Sequence, residues 1–497
     1  MNVLPPLSRF ASSWWFVTLL ATLLSASLLA SARTAAVIAP LGAVIASALL
    51  FLAVLARRRG ELVWCELGAV YVGVVTLYAT YPLVGFLVLG QTYTQQNDVR
   101  LQHMSPGPGE MGRVGWLYGA HLAAFAASYL AVRGRLPLRM QVPRRPPLSV
   151  ALAALTFYVA IEVFALVIGW FYDTSARSYI ESYLVARRLP LVFAQLLGHL
   201  SAAKYPLAIV LLTALYGRYP RSRPVLIMWL ALAAVATAVR MGSRAEFVLL
   251  VFAAVVSYHV LVRRIPAGIA ALGAVAGIAA FVAFGILRSG SAGTIPQAWY
   301  ALPFAHSSEF EGLFANALHL DRLQRAGVDF RLPPAFHFDG LAALVPQQIA
   351  PYAKFDANVW YVNTFFPDYA AAGGALAFGV IAQSVLTGGW ISAMIRGATL
   401  GLLFAAIHRV YVRHAARFWV FVFYVWLTTL SYQSFRATSL FLVPVFVYQF
   451  MVVMIAVKIT ASLLDRAAYA SERYGGQGHS SPLAWLRAVR KDPVPRV

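Results

Sequence analysis

The segment AVATAVRMGSRAEFVLLV, residues 234–251, sets Arg240, Arg244 and Glu246 around a Gly-Ser turn between two otherwise apolar runs. Arg288 closes a later apolar run, and Arg436 lies between two more. A guanidinium is permanently charged, and its planar fork matches two phosphate oxygens at once. Several of them gathered at one membrane surface suit a diphosphate, held bidentately and without a metal. Each arginine also has a simpler use, since one at a helix end can snorkel to water and Arg244 can pair with Glu246.

Other chemistries lack their residues. The ten His include no HExxH and no other i, i+4 pair with an acid, and the first outer connection, around Ser31–Thr34, holds no DxD. No metal and no cofactor is expected. His121, His199 and His259 fall inside apolar runs, where histidine is more often a satisfied core group than a ligand. No GxSxG elbow, P-loop or GxGxxG fingerprint stands in a sensible context, which argues against serine-hydrolase, nucleotide-driven and dinucleotide chemistry. Cys65 is the only cysteine, so neither an internal disulfide nor a thiolate cluster can form.

The elements that must position these residues are membrane helices. Of 497 residues, 60% are hydrophobic and 12% charged, with a mean hydropathy of +0.71; these values lie outside the soluble range. Apolar windows of about 20 residues, enough to cross ~30 Å of hydrocarbon, recur along the chain, so helices must satisfy the backbone. The expected fold class is an all-α polytopic membrane protein. Twelve spans are expected, near 12–31, 35–56, 63–89, 114–132, 149–172, 190–216, 224–240, 245–262, 266–287, 396–412, 418–434 and 438–460.

Charge sets the orientation. Forty Lys and Arg stand against 18 Asp and Glu. They gather in alternate connections, at Arg57–Arg59, at Arg133, Arg135, Arg139, Arg144 and Arg145, at Arg218, Arg221 and Arg223, and at Arg263 and Arg264, which the positive-inside rule assigns to the cytoplasm. Basic residues in short interhelical loops, rather than on one soluble face, argue against a nucleic-acid partner. Residues 370–395 are apolar but broken by glycine. Counting them as a crossing would put Arg409, Arg413, Arg417 and the basic tail outside, so they are read as no full crossing and both termini as cytoplasmic.

The chain then divides into a single transmembrane domain, 1–460, and a basic cytoplasmic tail, 461–497. Connections 90–113 and 288–370 face outward, as do Arg240, Arg244, Arg288 and Arg436. Within the long loop EFEGLFANALHLDRLQRAG has an amphipathic helical pattern, so the loop is expected to be ordered and packed over the spans. Glu162 and Lys204 fall near the middle of consecutive antiparallel spans, where an unpaired charge costs at least about 2.5 kcal/mol. A structural ion pair is the favoured reading, and a proton relay the functional alternative.

A second landmark is VWYVNTFFPDYAAAGGALAFG, residues 359–379. With Gly242, Ser243 and Arg244 in a turn between central spans, and Asn363, Thr364, Phe366, Pro367, Asp368, Tyr369 and Gly373 after the long loop, the chain resembles the oligosaccharide repeat-unit polymerases, the O-antigen polymerase family of bacterial envelopes. In one departure, the glycine expected soon after Asp368 is delayed by three alanines. The resemblance implies a GT-C-like fold in the bacterial inner membrane, with the active site facing the periplasm. The implied reaction is a metal-independent, inverting glycosyl transfer that joins undecaprenyl-pyrophosphate-linked glycans, with the lipid bilayer and a chain-length regulator as partners.

In such a reaction an acceptor hydroxyl attacks the anomeric carbon while negative charge develops on the departing pyrophosphate, and fixed arginines stabilise that charge. Arg244 and Arg288 are the first candidates, followed by Arg240 and Arg436. The base that takes the hydroxyl proton should be an outer carboxylate or histidine. His306, Glu309, Glu311, His337, Asp339 and Asp368 qualify, and Glu309 is preferred. Asn363, Asp368, Tyr361, His306 and His337 are candidate substrate-binding residues, although capping the following helix is a plainer use of Asp368. Trp299, Tyr300, Phe336, Phe338, Tyr352, Trp360 and Tyr361 could stack on sugars, but such residues are more often belt or packing groups. The rival readings are an O-antigen ligase using the same donor, a lipid-linked oligosaccharide flippase coupled through Glu162 and Lys204, and a metal-using glycosyltransferase, disfavoured by the missing acidic pair.

Overall fold

The computed structural model describes residues 32–59, 64–90, 104–134, 146–172, 189–218, 244–289, 308–330, 355–371, 376–438 and 440–474, with Leu332, Phe336, Leu341, Leu344 and Val345 besides. Among the described residues every regular element is a helix. In chain order these are α1 (Ala32–Arg59), α2 (Leu67–Leu89), α3 (Pro108–Arg133), α4 (Leu148–Phe171), α5 (Leu191–Arg218), α6 (Arg244–Leu261), α7 (Ala267–Ser289), α8 (Ser308–Arg325), α9 (Ala357–Phe365), α10 (Pro367–Ala371), α11 (Val380–His414), α12 (Phe418–Leu430), α13 (Gln433–Arg436), α14 (Leu442–Val445), a π-helical turn (Phe446–Met451) and α15 (Val452–Tyr474).

Six described helices are long and apolar enough to cross a membrane: Thr34–Arg57, Leu67–Leu89, Leu148–Phe171, Leu196–Tyr216, Val380–His414 and Leu442–Tyr469. Of the other expected spans, 12–31 and 224–240 lie outside the described residues. The span at 114–132 forms α3, which is less apolar because histidine, tyrosine and glycine interrupt it. Those at 245–262, 266–287 and 418–434 contain shorter apolar helices, Leu249–Leu261, Ala267–Gly277 and Phe418–Leu430.

Side-chain contacts fix the helix directions. Glu66, Tyr71 and Leu83 along α2 meet Arg133, His121 and Gly115 of α3 in turn, so these two helices are antiparallel. Gly112 and Gly119 of α3 approach Ala36 and Val44 of α1, so α1 and α3 are parallel. α11 also runs with α3, since His121 Nδ1 bonds the Ala393 carbonyl and Arg409 donates to the Val132 carbonyl. Gly397 and Gly401 of α11 permit this approach, because a Cβ on either would collide with the α3 backbone at His121 or Phe125. Small residues at i and i+4 let membrane helices pack by backbone contact in this way.

One end of the bundle is closed by a buried polar network. Glu66 accepts from Tyr129 at 2.7 Å and from Arg133 Nε at 2.6 Å, and His408 Nε2 lies 3.6 Å away. His408 Nδ1 bonds the Tyr424 hydroxyl, which also receives the Leu67 amide. Arg133 is therefore a buried partner of Glu66 and not the solvent-facing loop charge expected of it. Trp64 donates to the Ile265 carbonyl, which brings Arg263 and Arg264 to the same end as Arg133 and Arg409. Midway along α4 and α5, Lys204 Nζ meets Glu162 Oε1 at 2.8 Å, so the expected ion pair is present.

Residues 380–414 are one helix with a sharp kink at Gly388 (φ 128°) and Gly389 (φ 56°), a conformation that favours glycine. The span expected at 396–412 therefore extends back to the kink. The short arm before it, 380–387, carries Gln383, whose side chain donates to the Phe336 carbonyl and accepts from Arg396 across the bend.

Candidate functional site

Two interrupted helices meet at half depth. α12 has 13 residues, about 20 Å, too short to cross ~30 Å of hydrocarbon. It stops where hydroxyl residues crowd the sequence LTTLSYQSFRATS. Thr428 and Thr429 donate back to the carbonyls of Tyr424 and Val425, and Ser431 and Ser434 to those of Thr428 and Ser431. Such bonds compete with the helical ladder and bend it. The short α13 follows, and its Phe435 packs on Tyr71, Tyr78, Tyr118 and His121 with ring centroids 5.5–6.4 Å apart. Tyr78 is the middle residue of α2, and Tyr118 lies near the middle of α3. The half-buried Arg436 thus enters at the centre of the bundle, deeper than the outer-surface position expected of it.

α8 reaches the same level from the other side. Phe310 packs on Tyr78 and Tyr81 at 5.5 and 5.0 Å, and Phe314 stacks on Tyr118 at 5.5 Å. Between Glu311 and Asp321 the helix carries no fixed charge, and Phe310, Leu313, Phe314, Ala317, Leu318 and Leu320 are all buried. The amphipathic helix expected of this segment is present. It is inserted among α2, α3 and α11, however, and not laid over them, because the stretch from Gly312 to Leu320 carries no fixed charge and is buried nearly all round. Glu311, in the first turn, is completely buried. Tyr118 is equally buried, and its hydroxyl has no hydrogen-bond partner among the described residues.

The charged last turn of α8 clamps it to the start of α3. Arg322 grips Glu110 through two bonds of 2.9 and 2.7 Å and donates to the Met104 carbonyl at 2.6 Å. Asp321 accepts from Arg113 at 3.2 Å and pairs with Arg325. The Arg322 hydrogen bond, followed by the Gly107 amide and the charges of Arg322 and Arg113, holds the Glu110 carboxyl below its ordinary value of 4.5. Mid-helix, Asn316 donates to the carbonyls of Ala377 and Phe378, and His319 Nδ1 bonds the Tyr361 hydroxyl at 2.8 Å.

The remaining candidates distribute as follows. Arg244 opens α6 and Arg288 lies in the last turn of α7, both at the helix ends remote from Ile265. The side chains of Arg244, Arg288 and Glu309 lie outside the described residues, as do Arg240, His306 and His337 entirely. Asn363 and Asp368 are exposed. Asp368 lies in the first turn of the short α10, and the next helix, α11, has Gly379 at its N-cap and no side-chain cap; Asp356 caps the preceding α9, accepting from the amides of Asn358 and Val359. Tyr361 and Phe336 are fully buried and, with Phe355, Trp360, Phe365 and Phe378, form an aromatic core. That is the packing use of these rings, and it leaves neither Tyr361 nor Phe336 a face for a sugar.

Sequence reasoning overlooked Tyr118, Asn316, His319 and the Glu110–Arg322 clamp. The signal for the break after α12 was available in the hydroxyl-rich run around Arg436, while Tyr118 reads as one more aromatic in an apolar span. Irregular backbone at membrane depth is tolerated where protein buries it or where it lines a cavity. A cation and carboxylates placed there act in a low dielectric, where they weigh far more on a developing charge than they would in water. The chain matches no protein-family model, and no curated protein or solved structure matches it.

Proposed function

We propose that the chain is a membrane glycosyltransferase that lengthens undecaprenyl-pyrophosphate-linked oligosaccharides on the outer side of a bacterial inner membrane. The observation that carries the reading is the convergence on Tyr78 of α13, which ends in Arg436, and the first turn of α8, which holds Glu309 and Glu311. A cation for a leaving pyrophosphate and carboxylates for a hydroxyl proton, far apart in sequence, share one neighbourhood. An acceptor hydroxyl oxygen bonds the anomeric carbon, the bond from that carbon to the pyrophosphate oxygen breaks, and its electron pair leaves with the pyrophosphate. The hydroxyl proton passes to a carboxylate of the α8 turn. Arg436 compensates the departing charge, joined by Arg244 and Arg288 from the helix ends above. The Tyr118 hydroxyl supplies a further donor to a pyrophosphate oxygen. A recessed site suits a donor whose phosphates are tethered to an isoprenoid chain that must stay in hydrocarbon.

The pairing of Glu162 with Lys204 gives these two charges a structural use, which weakens the flippase reading. Purified full-length protein given lipid-linked repeat units in EDTA should produce a ladder of longer lipid-linked chains. Transfer only to a lipid A core would identify a ligase, and an unextended substrate would reject glycosyl transfer between lipid carriers.

A further inference from the structure

The arginine-rich end of the bundle carries an open groove of about 470 Å³ between α15 and the start of α4, lined by Val150, Lys458, Ala461, Ser462, Asp465, Arg466 and Tyr469. On α15 the lining residues recur every three or four positions, so they form one stripe facing α4. Asp465 is the groove's single carboxylate, and it accepts from the Ser149 hydroxyl at 3.1 Å. Lys458 and Arg466 therefore leave a net charge of +1 on the lining. Lys458 Nζ lies 5.6 Å from the Trp419 ring centroid, which orients the ammonium by a cation–π contact. The stripe belongs to the membrane-crossing segment Leu442–Tyr469, and Ile459, Leu463 and Leu464 beside it are exposed.

We infer that this groove binds the headgroup of an anionic phospholipid from the leaflet at the basic end. The two cations take the phosphodiester, the Ser462 hydroxyl lies between them on the same stripe, and Tyr469 stands where interfacial aromatics meet headgroups. Exposed isoleucine and leucine on the same helix give the acyl chains an apolar wall, which a free phosphate would not use. The inference is independent of glycosyl transfer, since the groove lies at the opposite end of the bundle from the charged last turn of α8.

Full-length protein in phosphatidylglycerol–phosphatidylcholine nanodiscs, released and weighed by native mass spectrometry, tests this. Wild type should retain phosphatidylglycerol preferentially, and Lys458→Gln and Arg466→Gln should each cut that preference about fivefold. Arg263→Gln and Arg413→Gln, exposed charges at the same end but off the groove, should leave it unchanged. Equal loss in these controls would mean diffuse leaflet attraction and would overturn the site. So would a wild type without preference, or thermal stabilisation by inorganic phosphate equal to that by phosphatidylglycerol.

Discussion

Phe435 packs against Tyr78, centroid to centroid 5.9 Å, at the middle residue of α2. A residue that follows a helix from the basic end has therefore advanced only half way through the bundle. Arg436 comes next in the chain, and this position is what gives the arginine its proposed role.

Arg436→Ala should lower glycan lengthening about a hundredfold or more, the usual loss when one fixed donor to a developing anion is removed. Arg436→Lys keeps the charge but not the fork, and should recover only part of the rate. Steady-state rates on lipid-linked repeat units measure both, with thermal unfolding to show that the variants fold. A wild-type rate in Arg436→Ala would remove the residue from the reaction.

Tyr118→Phe deletes a hydroxyl that is fully buried and lacks a partner among the described residues. The unliganded variant should be as stable as wild type, or more stable by about 1 kcal/mol, because an unsatisfied buried donor is costly. Lengthening should still fall about tenfold if the phenol donates to the pyrophosphate, a charged hydrogen bond being worth ~1.5–3 kcal/mol. A drop in unliganded stability would instead show a structural hydrogen bond.

Because Glu110 titrates below 4.5 when folded, its bond to Arg322 contributes in full above that value and is lost as pH falls through the lower, folded value. Hydrogen exchange across α8, corrected for the intrinsic pH dependence, should show protection falling under acid conditions. Glu110→Gln should have the lower protection already at neutral pH and flatten the pH response. Acid-insensitive protection in wild type would show that the clamp does not hold α8.

Lys204→Met removes the cation that pairs with Glu162 midway along α4 and α5 and should cost about 2–3 kcal/mol, whereas the double variant Glu162→Gln/Lys204→Met should recover most of that loss. Lengthening by the double variant should stay near wild type. A double variant that folds well but is inactive would revive the transport reading of these two charges.

Much of this architecture can be read from the chain, and the failures share one physical cause. Hydropathy reports how much apolar length is available, so α1, α2, α4 and the 396–412 part of α11 were expected, and charge at mid-span announced the Glu162–Lys204 pair. Hydropathy does not report depth. α8 is amphipathic by composition, yet its charge-free stretch from Gly312 to Leu320 lets it sink among α2, α3 and α11. α12 is as apolar as any span but is ended by hydroxyl-to-carbonyl bonds, which no window average registers. Arg436 was recognised by residue type and expected at the outer surface, whereas Phe435 beside it packs at the middle of α2, and Tyr118 became visible only because its buried hydroxyl has no partner among the described residues.

The half-depth site itself is tested most directly by photo-crosslinking full-length protein with an undecaprenyl pyrophosphate that carries a diazirine beside the diphosphate. The account predicts adducts in the first turns of α8, around 308–314, and in 431–440, both competed by unlabelled undecaprenyl pyrophosphate. Competable adducts found elsewhere, with these two segments unlabelled, would contradict it.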